Sequence, residues 1–201
     1  MKTTCQGFRW ESEAPLPPGI DNPADSGLVE KHVRSSSFQK QPKSTTKKNV
    51  QTLESELREL VRLFNQEKID YALCGGMAVA IHGYPRFTKD IDFLIPAKSL
   101  EHARAVAARA GFLDESGRIP FADSDVYRII KTQGTEFRIL DLLVPKRLDT
   151  IAWEQRQWYD WNGLPICAVS LEGLVEMKRA AGRDIDLIDI KRLGFDPNEQ
   201  K

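Results

Sequence analysis

Three aspartates in this 201-residue chain have the surroundings expected of metal-binding carboxylates. Asp90 and Asp92 flank Ile91 at the start of a short apolar segment that ends at Ile95. In a β-strand, residues i and i+2 point to the same face, so both carboxylates would lie side by side. Such charges repel each other unless a cation lies between them, and oxygen ligands without His or Cys favour Mg²⁺ or Mn²⁺ over zinc.

The third aspartate, Asp141, lies in the middle of the apolar segment 139–143, which is predicted to be a strand. An ionised carboxylate buried there is strongly unfavourable without a partner. One explanation is an exposed sheet edge, or a buried pair with an arginine such as Arg128 or Arg138. The other is that three strand-borne carboxylates converge and hold two metal ions ~4 Å apart, the arrangement used for phosphoryl or nucleotidyl transfer.

Two glycines precede the aspartate pair by 13 residues and add a second element of the pattern. Gly75 and Gly76 follow a short apolar strand at 71–74 and precede an Ala-rich helix predicted at 77–82. Free backbone N–H groups at such a junction attract anions, and a side chain there would keep a triphosphate away. A plain tight turn is the alternative explanation for the glycines.

Two other Asp-x-Asp pairs have less informative surroundings. Asp123 and Asp125 lie among polar residues at the start of a strand, which favours a turn or cap role. Asp186 belongs to the pair that opens the last predicted helix, where acids are favoured by the helix dipole. For Asp186 and Asp189 the sequence predicts salt bridges to nearby basic residues of the same helix, Lys191 or Arg192.

The spacing of apolar residues predicts alternating helices and strands, and therefore an α/β or α+β fold with one mixed sheet flanked by helices. The predicted helices span 53–68, 77–82, 99–110, 148–155, 171–181 and 186–193. The predicted strands span 71–74, 91–95, 126–130, 136–144 and 165–169.

The composition changes at about residue 50. Pro, Gly and Ser supply 14 of the first 49 residues, which show no helical or strand period and carry a net charge of +3. We therefore predict a disordered tail at 1–50, a folded domain at 51–196 and a polar tail at 197–201. A basic arm that docks on RNA or on a partner protein is the alternative to a solvated tail.

Overall charge and apolar content exclude several classes of protein. The 29 Lys and Arg residues balance 29 Asp and Glu residues, which argues against a general nucleic-acid coat. No segment has the ~20 continuous apolar residues of a membrane span, and the N-terminus lacks the apolar core of a secretory signal. Three cysteines without CxxC pairs suit a reducing compartment, so we expect a cytoplasmic protein without a membrane partner.

The run Cys74–Ile95, with its Gly-Gly turn and Asp-x-Asp strand, resembles the nucleotidyltransferase superfamily with the DNA polymerase β-like fold. In that superfamily a third acid lies on a later strand, as Asp141 does here. Within it, the closest resemblance is to bacterial minimal and AbiEii-type toxin nucleotidyltransferases. It is carried by Gly83, Arg86, Thr88, Asp90-Ile-Asp92 and the run Leu174–Leu193. The resemblance covers about residues 53–195. Met77 departs from it, since some of these enzymes have a hydroxyl-bearing residue near the turn.

The resemblance implies a Mg²⁺-dependent enzyme that transfers a nucleoside monophosphate from an NTP such as ATP to a hydroxyl and releases pyrophosphate. The implied acceptor is an RNA such as a tRNA 3′ end, a protein side chain or a small molecule. A toxin role with a cognate antitoxin is also implied. The alternative is a non-catalytic nucleotide-binding or interaction module on the same fold.

The resemblance also assigns roles to individual residues. Asp90, Asp92 and Asp141 would be the catalytic metal ligands, with Asp141 helping to deprotonate the acceptor. The implied nucleotide-binding residues are Gly75, Gly76, Arg86, Thr88, Lys89 and Lys178. From the residues alone, Lys178 is equally well explained as a solvated helix lysine. The three loop residues are equally well explained as surface residues, or Arg86 as a brace for the loop.

Overall fold

The computed structural model describes residues 52–199; the predicted tail at 1–50 and the last two residues of the chain lie outside this part. Six α-helices and seven β-strands are interspersed along the described residues. The helices are α1 Leu53–Gln66, α2 Gly75–Ile81, α3 Leu100–Arg109, α4 Ile151–Glu154, α5 Leu171–Ala181 and α6 Asp184–Arg192. The strands are β1 Ala72–Cys74, β2 Asp90–Leu94, β3 Asp114–Pro120, β4 Ser124–Gln133, β5 Glu136–Pro145, β6 Gln157–Trp161 and β7 Leu164–Ala168.

The seven strands form one mixed sheet in the order β3-β4-β5-β2-β1-β7-β6. The pairs β2–β5 and β1–β7 are parallel, and the other neighbours are antiparallel. The parallel pairing of β2 with β5 matters for function, because it sets two strands from distant parts of the chain in the same direction. The predicted mixed α/β fold is confirmed.

Helix α1 covers one face of the sheet. Its apolar stripe, which includes Leu57, Leu60 and Phe64, is fully buried, as the spacing of these residues predicts. The ring of Phe64 packs 5.1 Å from the ring of Phe93 on β2. Since side chains alternate along a strand, the neighbouring Asp92 points to the opposite face of β2.

Helices α2, α5 and α6 surround the site that is described below. Helix α2 packs on β1 and β2, and α5 packs against α2, α4 and α6. Ser170 caps α5 by accepting a hydrogen bond from the N–H of Gly173, and Gly182 ends this helix with a left-handed backbone at φ +63°. Both ends of α5 are therefore where their residue types predict.

The sequence prediction missed the two outer strands, β3 and β6. Every residue of β3 is exposed, so β3 has no alternation of buried and exposed positions to reveal it. The edge strand β6 has mostly exposed residues as well, and it pairs with β7 alone. Among residues 52–199, no helix has both the length and the apolar character needed to cross a membrane.

Candidate active site

Strands β2 and β5 bring the three predicted metal-binding aspartates together. In their parallel register Asp92 lies directly opposite Asp141, and Asp90 lies opposite Ile139. Each aspartate offers one carboxylate oxygen that lies within 4.8 Å of those of the other two. We call Asp90, Asp92 and Asp141 the acidic triad.

Asp141 also pairs with an arginine on the neighbouring strand. Arg128 on β4 lies opposite Asp141, and its Nε and Nη2 donate to Oδ1 and Oδ2 at 2.8 and 2.7 Å. The two explanations offered for Asp141 are therefore not exclusive, since this carboxylate belongs to the triad and holds an arginine. Arg138 pairs instead with Glu136 on its own strand.

The pKa of Asp92 in the acidic triad is raised to about 8. Burial is the main cause, and the nearby charges of Asp90 and Asp141 add to it. Within residues 52–199, Arg128 is the only cation that forms an ion pair with the triad. The site thus has three hard oxygen donors with too little positive charge among them, which fits a divalent cation such as Mg²⁺ or Mn²⁺.

The two glycines pack directly against these acidic side chains. Gly75 has φ +63°, and a β-carbon on it would lie 2.0 Å from Oδ2 of Asp92. A β-carbon on Gly76 would lie 2.7 Å from Oγ1 of Thr88. The immediate reason for glycine at both positions is thus the close approach of Asp92 and Thr88 to the start of α2.

The loop before β2 supports the triad from the other side. Oγ1 of Thr88 donates to Oδ1 of Asp90 at 2.6 Å, which orients that carboxylate. The neighbouring Lys89 is exposed, and so is the ring of Phe87. Thr88 is therefore a support for a triad carboxylate in this structure.

Arg86 and Lys178 meet at a buried aspartate on α6. Nε and Nη2 of Arg86 both donate to Asp189 at 2.8 Å, and Nζ of Lys178 donates to the same carboxylate at 2.7 Å. Lys178 also donates to Asp186 at 3.2 Å, and its side chain is only 4% exposed. Lys178 is thus not a solvated helix lysine.

The predicted partners of Asp186 and Asp189 are wrong. Neither aspartate pairs with Lys191 or Arg192; both turn inward and pair with residues of α5, of the loop before β2 and of the start of α6. Spacing along one helix predicts local pairs only, whereas these carboxylates are buried where α6 packs on α5.

Sequence reasoning also missed Arg183, the residue that immediately precedes α6. Its Nε donates to Oδ2 of Asp186 at 2.6 Å, and its side chain is 71% exposed. The hydrogen bond from Arg183 to Asp186 raises the pKa of Arg183, and the charges of Asp92 and Asp90 raise it further. We call the connected residues Arg86, Lys178, Arg183, Asp186 and Asp189 the helix network.

Comparison with known structures supports the fold. A lincosamide antibiotic adenylyltransferase, LnuA, solved with lincomycin bound, is 20% identical with a TM-score of 0.52, over 70% of this chain and 96% of that one. The antibiotic-resistance factor ANT(2″)-Ia, solved in solution, is 12% identical with a TM-score of 0.53, over 69% and 80%. At these identities the likeness concerns the fold alone. No curated protein sequence matches the chain significantly.

A match to a family of sequences shows to which protein family this chain belongs. The family described as uncharacterised nucleotidyltransferases matches residues 20–170. This span contains the acidic triad, both glycines and Arg128, and it ends just before α5. The match covers about three quarters of the sequence, and the acids and glycines it contains meet at one site. This chain therefore belongs to that family and is a nucleotidyltransferase.

Proposed function

We propose that the protein is a Mg²⁺-dependent enzyme that transfers a nucleoside monophosphate from an NTP, such as ATP, to a hydroxyl group and releases pyrophosphate. The observation that carries this proposal is the convergence of Asp90, Asp92 and Asp141 from two strands at one point of the sheet. A structural cluster would be expected to pair each acid with a base, whereas the described part of the chain supplies one paired arginine for three carboxylates.

Each triad carboxylate has a distinct support. Asp92 lies against Gly75, Asp90 accepts a hydrogen bond from Thr88, and Asp141 is held at both oxygens by Arg128. We assign all three as ligands of the divalent cation, which supplies charge neutralisation at the phosphates when it is bound. A carboxylate has about four lone-pair sites, so the bonds from Arg128 leave Asp141 able to accept the proton of the acceptor hydroxyl.

Backbone rather than side chains would contact the phosphates at the start of α2. Gly75 and Gly76 are the first residues of α2 and lie next to Asp92 and Thr88, and the N–H groups at the start of a helix favour an anion. The exposed ammonium of Lys89 is an additional candidate for contact with phosphate or acceptor. Arg86 and Lys178 are more deeply placed, and we assign them the role of holding the helix network.

The acceptor is defined in this proposal by its hydroxyl group. LnuA, which shares the fold, is described as an adenylyltransferase of a small antibiotic. Minimal and AbiEii-type enzymes, which the sequence resembles, suggest RNA or protein acceptors instead. A toxin role with a cognate antitoxin stays a prediction from that resemblance.

The test is a labelling experiment with the full chain. Each α-³²P-labelled NTP is incubated with Mg²⁺ and, in separate reactions, with total RNA, with a mixture of small hydroxyl compounds, or with the protein alone. We expect label in one acceptor class, and a loss of about 100-fold or more in Asp90→Asn and Asp92→Asn. Asp123→Asn is the matched control, because Asp123 is exposed and belongs to another Asp-x-Asp pair.

The absence of label with every NTP and every acceptor class would contradict the catalytic proposal. Equal labelling by wild type and Asp92→Asn would contradict the assigned role of the triad. The identity of the labelled product distinguishes RNA, protein and small-molecule acceptors.

One observation favours a second candidate, a nucleotide-binding module without catalysis. The guanidinium of Arg128 already holds both oxygens of Asp141, so a cation that is part of the protein occupies one side of the triad. Calorimetry of NTP binding with and without Mg²⁺ separates the two functions. Affinity that is unchanged by removal of Mg²⁺ and by Asp90→Ala supports the module.

A further inference from the structure

The cations around the candidate site differ in how accessible they are. Lys178 is 4% exposed and bonds to two carboxylates, and Arg86 is 15% exposed and bonds to Asp189 through two nitrogens. Arg128 is held at both oxygens of Asp141. Arg183 differs from all three because most of its side chain faces solvent.

Asp186 holds one edge of the Arg183 guanidinium and leaves the rest of the group free to bind. Nε and Nη2 of Arg183 donate to the two oxygens of Asp186 at 2.6 and 3.3 Å. Asp186 itself is 1% exposed and also bonds to Lys178, so this anchor is fixed inside the fold. An arginine presents five N–H donors, so an exposed one anchored along one edge is oriented before a ligand arrives.

The helix network links Arg183 to the start of α2, which packs against the acidic triad. From Arg183 the contacts run through Asp186, Lys178 and Asp189 to Arg86, whose Nη1 lies 3.3 Å from the position of a β-carbon on Gly76. The charges of Asp92 and Asp90 also act on the guanidinium, where they add to the effect of Asp186 in raising the pKa of Arg183.

The network carries one positive charge more than it needs internally. Arg86, Lys178 and Arg183 face two carboxylates, Asp186 and Asp189. Since the first two cations are buried with these carboxylates, the surplus charge is presented by Arg183 at the surface. An exposed guanidinium with unused donors matches the geometry and charge of a phosphate group.

We propose that Arg183 binds the β- and γ-phosphates of the incoming NTP. This assignment rests on the proposed function of the site and adds a residue that the sequence patterns did not select. Lys178, which the family resemblance suggested for this contact, is buried beneath Arg183 and supports it through Asp186. The ligand chemistry is that of a di- or triphosphate tail, represented by inorganic pyrophosphate as the simplest probe.

The experiment measures binding rather than turnover. Calorimetry with the full chain in Mg²⁺ buffer compares pyrophosphate, ATP and AMP for wild type, Arg183→Gln and Arg183→Lys. We expect Arg183→Gln to weaken pyrophosphate and ATP binding by about 10- to 100-fold and to leave AMP binding within about twofold. Arg183→Lys keeps the positive charge but loses bidentate hydrogen bonding, so its affinity for pyrophosphate and ATP should lie between those of wild type and Arg183→Gln.

Matched controls separate a ligand contact from a structural role. Arg192→Gln removes an exposed arginine from the other end of the same helix and should bind pyrophosphate as wild type does. Arg183→Gln leaves the buried Asp186 with Lys178 as its partner, so we expect its melting temperature to fall by a few degrees, and binding is measured well below the melting temperature of every variant.

Equal affinity of wild type and Arg183→Gln for pyrophosphate overturns the assignment. An equal loss of affinity for AMP and ATP also overturns it, because it would mean that Arg183 contacts the α-phosphate or the nucleoside. If no label transfer is detected with any NTP but Arg183→Gln still loses pyrophosphate affinity, catalysis fails and the phosphate contact stands.

Discussion

The acidic triad and the helix network are neighbours whose charges are balanced in opposite ways. In the helix network, two buried aspartates are surrounded by three cations in short, well-formed hydrogen bonds. In the acidic triad, Arg128 is the one cation of residues 52–199 that forms an ion pair with the three carboxylates, and it bonds to Asp141 alone. Both carboxylates of the network are neutralised within the fold and one cation, Arg183, stays exposed, while the triad leaves a negative charge that a ligand must satisfy.

The contrast indicates which carboxylates serve stability, those of the network, and which serve binding, those of the triad. Buried charges are tolerated when each has a partner with good geometry, as for Asp189. The raised pKa of Asp92, due to burial and to Asp90 and Asp141, marks the opposite situation. Buried carboxylates without enough positive charge around them are expected at functional sites, where the compensating charge arrives with the substrate.

The largest change in stability is expected when the network loses its central cation. Lys178→Met leaves Asp186 and Asp189 buried with one partner fewer, which should lower the free energy of unfolding by about 3–5 kcal/mol. Urea denaturation measures this, with Lys191→Met as the exposed control on α6. Mg²⁺ should not restore the loss, and a variant as stable as wild type would show that the network is dispensable.

The triad should respond differently to the same kind of change. Arg128→Met leaves Asp141 buried beside two other carboxylates, and we expect a loss of about 2–3 kcal/mol without metal. Here millimolar Mg²⁺ should recover most of the stability, because the cation takes the place of the guanidinium. Thermal melts with Mg²⁺ and with EDTA measure this, with Arg118→Met on β3 as control. A loss that Mg²⁺ cannot reverse would place Arg128 with the structural cluster.

The raised pKa of Asp92 predicts how the metal-free protein depends on pH. Between about pH 4 and 8 the unfolded chain has released this proton while the folded protein keeps it, so stability falls as the pH rises. From pH 6 to 8 we expect a loss of about 2 kcal/mol, levelling off above pH 8. Asp92→Asn should remove this part of the pH dependence in EDTA. Parallel stability curves for the two proteins would argue against the shift.

The smallest effect concerns the support of one triad carboxylate. Thr88→Val removes the hydrogen bond to Asp90 without changing the volume, and should weaken divalent-cation binding by about tenfold. Calorimetric titration with Mn²⁺ measures this affinity. Thr132→Val is the control, because Thr132 also donates to an aspartate, Asp114, but at an exposed position away from the triad. Unchanged Mn²⁺ affinity in Thr88→Val would mean that Asp90 needs no such support.

The sequence by itself determined the features that depend on near neighbours in the chain. The buried stripe of α1, the Ser170 cap, the left-handed Gly182 and the hairpin between β4 and β5 all follow from residue type and local spacing. The shared face of Asp90 and Asp92 follows from the two-residue period of a strand. The mixed α/β class follows from the order of these elements.

Only the tertiary structure decided which distant residues meet. The parallel register of β2 and β5 sets Asp141 opposite Asp92, and the antiparallel register of β4 sets Arg128 opposite Asp141. No local period encodes such a register, because it depends on how strands far apart in the chain pair. The edge strands β3 and β6 were missed for a related reason, since they lack the burial that makes a pattern visible.

The ion-pair partners of the buried aspartates were also decided by the tertiary structure and not by spacing along the chain. Asp189 is three residues from Arg192 along the chain and 103 from Arg86, yet it pairs with Arg86. The packing of α6 on α5 buries the carboxylate and brings Arg86 and Lys178 to it, while Arg183 at the start of the helix stays exposed. The sequence thus supplied the acids of the site, and the packing of helices on the sheet decided which cations are buried with them and which one is left to bind phosphate.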